Sequence, residues 1–193
     1  MPLVLQTRPP FQRLMERVLS HMNWRDCVVY IDDVLIWSRT FEEHLCKLGQ
    51  VFQAFEKAGL RIKPSKCHIC CKSVPYLGHL LSADGIQIDP ARVKAIEEMP
   101  APTKIKAVES VLELVNYYRR FVRNLSQIEA PLRDVIFNPQ FIWTKEAQQS
   151  FDEIKQSIAL NSILAYPYPS ATFVVNTDAS DVGLFAVISQ IKP

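Results

Sequence analysis

Two adjacent aspartates, Asp32 and Asp33, interrupt the most apolar stretch of the chain. The residues on both sides, Cys27–Ile31 and Val34–Ser38, are mostly β-branched or aromatic, which favours two short strands joined by a tight turn. Neighbouring carboxylates repel each other unless a cation compensates them, and Mg²⁺ is the usual partner of oxygen ligands. The pair therefore predicts a hairpin that carries a divalent-metal site, with a merely solvated turn as the alternative.

The composition is that of an ordinary globular protein. The chain has 193 residues, of which 48% are hydrophobic and 22% charged, enough for one sizeable domain or two small ones. Its apolar runs are too short for a membrane span, and charged residues interrupt the first twenty positions, which disfavours a secretion signal. An odd count of five cysteines then indicates reduced thiols and an intracellular protein.

Basic residues are concentrated in two places, although the net charge is only +2. Five of them lie between Lys57 and Lys72 with no acidic residue, and Arg119, Arg120 and Arg123 alternate with aromatic residues. Basic stripes with aromatic side chains can follow a phosphate backbone. Solvated faces of ordinary helices and strands are the alternative.

Periodicity and turn signals predict an α+β chain. Helices are expected at Phe11–Met22 after an initiating Pro9-Pro10 pair, at Phe41–Ala58, from Asp89-Pro90, between Thr103 and Asn124, and from Thr144. Strands are expected in the hairpin, at Leu60–Lys63, within Cys67–Leu81, at Ile86–Ile88, at Thr172–Thr177 and at Leu184–Gln190.

The string Tyr30-Ile31-Asp32-Asp33 resembles the YxDD box of reverse transcriptases. Further strings extend the resemblance over nearly the whole chain, which is similar to the Pol polyprotein of gypsy-type LTR retrotransposons. These strings are Phe11–Met15, Val29–Ser38, Tyr76–His79, Asn116–Phe121, Phe141–Thr144 and Thr177–Ser180.

The resemblance implies a fold and a domain order. Residues 1–89 would form the C-terminal part of a polymerase palm, an antiparallel sheet with helices that includes the YIDD hairpin. Residues 90–165 would form a helical thumb or connection. Residues 166–193 would begin a ribonuclease H-like domain.

The resemblance also implies roles for single residues. Asp32 and Asp33 would be the catalytic metal ligands of the palm, and Asp178 the first metal carboxylate of an incomplete ribonuclease H site. Lys63 or Lys66 would approach the pyrophosphate leaving group. Contacts to primer and template are expected from Tyr30, Leu77, Gly78, His79, Tyr117, Arg119 and Arg120.

The activity implied is RNA-directed DNA polymerisation, by transfer of deoxynucleotides to a primer 3′-OH with two Mg²⁺ or Mn²⁺ ions. The partners would be an RNA or DNA primer–template, deoxynucleotides and the remainder of Pol, in the cytoplasm, a virus-like particle or the nucleus. The family takes one more palm aspartate from a segment upstream of Phe11, so this chain alone is expected to bind primer–template without extending it.

Two other hypotheses follow from the same departure. One is a decayed or host-adopted fragment that binds nucleic acid without catalysis. The other is one piece of a split gene whose aspartate is encoded just upstream of Met1.

Two smaller motifs have structural interpretations. Cys67-His68-Ile69-Cys70-Cys71 contains a Cys-x₂-Cys half-site, but no second pair has a zinc spacing, so these cysteines are predicted to be buried or edge-strand thiols, with a zinc site as the alternative. Tyr118 and Phe121 are predicted to lie in the core, and Tyr117 is left open between packing and base stacking.

Overall fold

The computed structural model describes residues 4–160, 163–168, 170–180 and 183–191. Its elements confirm an α+β chain of helices and small antiparallel sheets. By its contacts the chain divides into two compact units, residues 1–77 and residues 78–193. The finer division at residues 89 and 165 stays a prediction.

The first unit is built around one hairpin and two helices. Its elements are α1 (Val4–Val18), β1 (Cys27–Tyr30), β2 (Asp33–Ile36), α2 (Phe41–Lys57), a 3₁₀ turn (Pro64–Lys66) and β3 (Ser73–Tyr76). Strands β1 and β2 are antiparallel, with Cys27 opposite Ile36 and Tyr30 opposite Asp33. The core lies between the helices and β1 and consists of Met15, Leu19, Met22, Cys27, Val29 and Val51.

Helix α2 is fixed at its N-terminus by its own polar residues. The Thr40 hydroxyl accepts a hydrogen bond from the Glu43 backbone N–H at 3.2 Å, and the Glu43 carboxylate accepts one from the Arg39 N–H at 3.0 Å. Lys47, one turn later, pairs with both Glu43 and Asp26, at 2.7 and 3.1 Å. Hydrogen bonds from Arg25 and Lys47 lower the pKa of Asp26, so this ion network ties the start of α2 to the residue before β1.

The second unit contains a hairpin, a set of helices and a second two-stranded sheet. Its elements are β4 (His79–Ser82), β5 (Gly85–Ile88), α3 (Pro90–Glu97), α4 (Ile105–Tyr117), a 3₁₀ turn (Arg119–Phe121), α5 (Leu125–Ile128), α6 (Ala130–Phe137), α7 (Lys145–Ala159), β6 (Phe173–Ser180) and β7 (Gly183–Gln190). Strands β4 and β5 are antiparallel, and so are β6 and β7.

The core of the second unit lies between α3, α4, α6 and α7. Its fully buried side chains are Ile88, Val108, Leu132, Ala147 and Ile158, all at 0% exposure. Tyr118 and Phe121 are also buried, which confirms the packing prediction for both. Lys155 links α7 to the end of α3 by donating to the Met99 carbonyl at 2.9 Å, with its ammonium 5.2 Å from the centre of the Phe151 ring.

Helices with a side-chain cap begin where the sequence predicts. Asp89 accepts from the Ala91 N–H at the start of α3, and Thr144 accepts from the Ala147 N–H at the start of α7. The expected helix before Asn124 ends at Tyr117, and a 3₁₀ turn follows, because Tyr118 leaves the α-helical conformation.

Other predictions of secondary structure are wrong. Leu60–Lys63 and residues 67–72 are not strands, and a 3₁₀ turn that begins at Pro64 separates them, because proline fixes its own φ and lacks a ladder N–H. Helix α1 begins at Val4 and not after Pro9-Pro10; the fixed φ of proline is compatible with a helix, although each proline lacks the N–H for a helical hydrogen bond. Helices α5 and α6 were not predicted, since four and eight residues are too few for a clear period.

No helix in the described ranges combines the length and the apolar character needed to cross a membrane.

Candidate functional site

The turn of the β1–β2 hairpin contains Ile31 and Asp32. Asp33 is the first residue of β2 and lies opposite Tyr30, so only one of the two aspartates is in the turn itself. Ile31 has φ +56°, and Asp32 is not among the residues with positive φ. A two-residue turn with this pattern normally has glycine first, and a β-branched residue there is strained. The hairpin therefore needs contacts that hold Ile31 in place.

Gln12 of α1 makes those contacts. Its carboxamide oxygen accepts a hydrogen bond from the Ile31 backbone N–H. Its nitrogen donates to the Val29 carbonyl at 3.3 Å and to the Glu16 carboxylate at 2.7 Å. The turn is thus bonded to a helix in the same unit.

Asp32 and Asp33 present their carboxylates to solvent. Both residues are exposed, and no hydrogen bond or ion pair to either side chain occurs within the described ranges. In the same ranges, no group of three or more His, Cys, Asp or Glu side chains is placed to hold a metal. Two free carboxylates nevertheless fit Mg²⁺, which proteins often bind through one or two carboxylates together with substrate phosphates and water.

Two tyrosines lie beside the aspartates in this unit. Tyr30 is 51% exposed, as a residue that contacts a ligand would be. The Tyr76 hydroxyl is buried and has no hydrogen-bond partner among the described residues. Burial raises the pKa of Tyr76, and the negative charge of Asp33 raises it further, so the Tyr76 hydroxyl stays neutral near this carboxylate.

The basic segment after α2 is open to solvent. Lys63 and Lys66 are exposed and flank a single 3₁₀ turn, in which the Lys66 N–H donates to the Lys63 carbonyl at 3.0 Å. Their side chains form no ion pair with Asp32 or Asp33 within the described ranges. No disulfide joins the five cysteines; Cys70 and Cys71 are exposed and lie outside the strands, so the prediction of buried or edge-strand thiols is wrong for these two.

The segment Leu77-Gly78-His79 has an unusual backbone. Leu77 and Gly78 have φ values of +49° and +73°, which glycine adopts readily and leucine rarely. In the second unit, the Gly78 carbonyl accepts hydrogen bonds from the Tyr118 hydroxyl at 3.2 Å and from the Asp89 N–H at 3.1 Å. A Cβ at position 78 would lie only 2.9 Å from the Tyr118 oxygen. Both the positive φ and this close approach therefore favour glycine at position 78.

His79 lies in an aromatic cluster at the end of α4. Its ring centre is 5.4 Å from that of Tyr117, 5.5 Å from that of Tyr118 and 5.9 Å from that of Phe121. Burial raises the pKa of Tyr118. Tyr117 is 54% exposed, and Arg119 and Arg120 next to it are exposed and form no ion pair in the described ranges. The structure therefore brings His79 and Tyr117 together beside two free guanidinium groups.

Asp178 lies in β6, where its backbone is opposite Phe185 of β7. The strand continues to Ser180, so Asp178 is a strand residue. The placement of its side chain lies outside the described residues.

Comparison with known proteins identifies the family of the segment that contains the β1–β2 hairpin. Residues 10–81 match the family "Reverse transcriptase (RNA-dependent DNA polymerase)". These residues belong to the reverse transcriptase family. Residues 143–193 match the "RNase H-like domain found in reverse transcriptase", so the reverse transcriptase segment is followed by its usual neighbour.

The relatives of this chain are Pol polyproteins. It is 36% identical over 193 residues to the retrovirus-related Pol polyprotein from transposon 297 of Drosophila melanogaster, across 98% of this chain and 18% of the relative. It is 34% identical over 193 residues to that from transposon gypsy of the same organism, across 93% of this chain and 19% of the relative. The chain thus spans about a fifth of the length of these relatives.

Solved structures show the same fold. The foamy viral protease-reverse transcriptase dRH in complex with ds DNA has a TM-score of 0.83 and 25% identity, across 95% of this chain and 33% of that chain. The foamy viral protease-reverse transcriptase in complex with dsDNA has a TM-score of 0.82 and 25% identity, across 98% and 40%. These matches confirm the predicted reverse transcriptase resemblance and fold.

Sequence reasoning missed three features of the site: the contacts of Gln12, the positive φ of Ile31 and the buried hydroxyl of Tyr76. Gln12 is 17 and 19 residues from its backbone partners, so no local pattern could connect them. Isoleucine rarely adopts a positive φ, so its presence in the turn gave no indication of the conformation of Ile31. All three residues lie in strings that carry the resemblance, Phe11–Met15, Val29–Ser38 and Tyr76–His79, but the resemblance gave none of them these roles.

Proposed function

We propose that this chain supplies the catalytic hairpin and the duplex-binding region of an RNA-directed DNA polymerase, within a longer Pol polyprotein. The observation that supports it best is the pair of exposed carboxylates of Asp32 and Asp33, which have no partner among the described residues and lie on a hairpin turn fixed to α1. A surface turn needs no such fixation, whereas a metal site gains from ligands that are held in place.

Asp32 and Asp33 would bind the divalent ions in this proposal. Two Mg²⁺ or Mn²⁺ ions, when bound, would activate the primer 3′-OH and stabilise the charge on the pyrophosphate leaving group. The protein would contribute negative charge and orientation at the hairpin. Lys63 or Lys66, both exposed, would add positive charge toward the leaving group.

The second unit would bind the primer–template. Arg119 and Arg120, which form no ion pair with any described residue, offer two positive charges for phosphates, and Tyr117 offers an exposed ring for stacking. Gly78 and His79 would hold the primer end. Tyr30 of the first unit would contact primer or template. Phosphate contacts carry no sequence information, which suits an enzyme that copies any template.

We extend the proposal to Asp178 as the first carboxylate of a ribonuclease H site. The match of residues 143–193 to the RNase H-like domain supports this role. A single carboxylate is not enough for the two-metal cleavage of RNA, so the other ligands would come from elsewhere in Pol.

Metal binding is tested first with Mn²⁺, by water-proton relaxation of the purified chain. We expect binding by the wild-type chain and a loss of at least tenfold in affinity for Asp32→Asn and Asp33→Asn. Asp84→Asn and Asp152→Asn are the controls, because both are exposed aspartates elsewhere in the fold. Equal Mn²⁺ binding by all five proteins would overturn the metal site.

Catalysis is tested by primer extension on a homopolymer template with Mg²⁺. The chain alone is compared with a longer Pol segment that begins upstream of Met1. Extension by the longer protein that is abolished by Asp32→Asn supports the polymerase. Salt-sensitive duplex binding without extension by either protein would favour a fragment that binds nucleic acid and does not catalyse.

A further inference from the structure

The Gln12 side chain occupies one edge of strand β1. The Val29 carbonyl and the Ile31 N–H are two residues apart, so they point to the same edge and would pair with one residue of a neighbouring strand. The Gln12 carboxamide takes that place: its oxygen accepts from the Ile31 N–H and its nitrogen donates to the Val29 carbonyl at 3.3 Å.

A carboxamide can satisfy both groups at once. Its oxygen is an acceptor and its nitrogen carries two donors, whereas a carboxylate would only accept and an aliphatic chain would do neither. The second donor of Gln12 is used by the Glu16 carboxylate at 2.7 Å, on the next turn of α1. All three bonds fit one orientation of the amide, so the carboxamide is held in place and cannot turn over without losing them.

The bond to Ile31 reaches the strained residue of the hairpin. A β-branched residue at φ +56° persists only where its surroundings hold it there. Ile31 directly precedes Asp32, so a change in its backbone conformation would redirect Asp32 and alter the start of β2 at Asp33. No other described side chain has a hydrogen bond to the Ile31 backbone.

We propose that Gln12 is a positioning residue, which holds Ile31 in its left-handed conformation and thereby directs the carboxylates of Asp32 and Asp33. The expected effect of Gln12 on metal binding rests on the proposed function, whereas the holding of Ile31 by Gln12 does not. Gln12 would not contact the metal or the substrate.

The position of α1 does not depend on Gln12. Met15 and Leu19, on the buried face of the helix, are 4% and 0% exposed and pack in the core that contains Val29. Gln12 itself is only partly buried. Gln12→Leu should therefore keep the helix and the hairpin together, since leucine also has a high helix propensity.

The first test is the amide hydrogen exchange of Ile31, measured by NMR on the full chain. In Gln12→Leu we expect this amide to exchange about tenfold faster, because it loses its acceptor. Gln12→Asn, which keeps the amide on a shorter side chain, should behave in the same way. Gln53→Leu, at an exposed position of α2, is the control. If the Ile31 amide exchanges at the wild-type rate in both Gln12 variants, the proposal that Gln12 holds Ile31 is wrong.

The second test asks whether Gln12 acts through Ile31. Mn²⁺ affinity is measured for Gln12→Leu in the wild-type background and in an Ile31→Gly background. We expect a loss of about tenfold with isoleucine and a clearly smaller loss with glycine, because glycine adopts positive φ without strain. Equal losses in both backgrounds would overturn positioning through Ile31.

The two tests separate the two proposals. If the wild-type chain binds no Mn²⁺, the metal site fails, and hydrogen exchange still decides whether Gln12 holds Ile31. If the wild-type chain binds Mn²⁺ and neither Gln12 variant changes affinity or exchange, the proposed function stands and the positioning role fails.

Discussion

Two buried tyrosine hydroxyls in this chain differ in their hydrogen bonding. The Tyr118 hydroxyl donates to the Gly78 carbonyl at 3.2 Å, whereas the Tyr76 hydroxyl has no partner among the described residues. A buried polar group without a partner loses its bonds to water and gains nothing in return. Tyr76 is therefore a local cost to folding, in the unit that also carries Asp33, whose charge raises the Tyr76 pKa.

We predict opposite effects when each hydroxyl is removed. Tyr118→Phe should lower the free energy of unfolding by about 1 kcal/mol, because the Gly78 carbonyl loses a donor. Tyr76→Phe should leave it unchanged or raise it by up to about 1 kcal/mol, because an unsatisfied group is removed. Urea unfolding of both variants measures the difference, and a Tyr76→Phe variant less stable than Tyr118→Phe would contradict it.

At the scale of single elements, capping residues decide where helices begin. Thr144 caps α7 through a 3.1 Å bond from the Ala147 N–H, and α7 contributes Phe151, Ile154 and Ile158 to the core. Thr103, shortly before α4, is exposed and provides no cap, since the N-cap residue of α4 is Lys104. The two threonines form a matched pair in one unit.

We predict that Thr144→Ala costs about 1 kcal/mol of stability, the usual loss for a missing side-chain cap. Thr103→Ala should change stability by less than about 0.5 kcal/mol, as surface substitutions without a special role do. Thr144→Asp should retain most of the wild-type value because aspartate also caps. Thermal unfolding followed by circular dichroism is the measurement, and equal effects of the two alanine variants would count against the cap.

Elements with their own local signals could be predicted, and elements set by distant contacts could not. Neighbouring residues predict where α3 and α7 begin, at Asp89-Pro90 and Thr144. The apolar period of α2 likewise lies within its own sequence. The absence of strands on both sides of Pro64 depends on whether a partner strand is present, which no local pattern contains. The same holds for the site: the YIDD string marks Asp32 and Asp33, whereas the bonds from Gln12 require the fold.

At the scale of the whole molecule, the small net charge of +2 hides local concentrations of positive charge. Arg119 and Arg120 are exposed near Tyr117, and Lys104 and Lys106 are exposed near the other end of α4. If the proposed duplex surface is correct, only the first pair contacts phosphates. Phosphate contacts release counterions, so they determine how steeply affinity falls with salt.

We predict that primer–template binding weakens with salt, and that Arg119→Gln with Arg120→Gln reduces the logarithmic salt slope by about 1 to 2. Lys104→Gln with Lys106→Gln removes the same charge and should leave the slope nearly unchanged. Fluorescence anisotropy with a labelled duplex between 50 and 300 mM salt, roughly the range over which such slopes are read, measures both. Identical salt slopes for the two double variants would show that Arg119 and Arg120 do not contact the phosphates.

The Gln12 carboxamide also covers part of one edge of strand β1. The edge of a strand offers unpaired backbone groups to any other extended chain, and natural proteins block such edges to remain monodisperse. On β1 the blocked groups are the Val29 carbonyl and the Ile31 N–H. Because the Gln12 carboxamide bonds to both groups from within the same unit, neither is available for strand pairing with another chain.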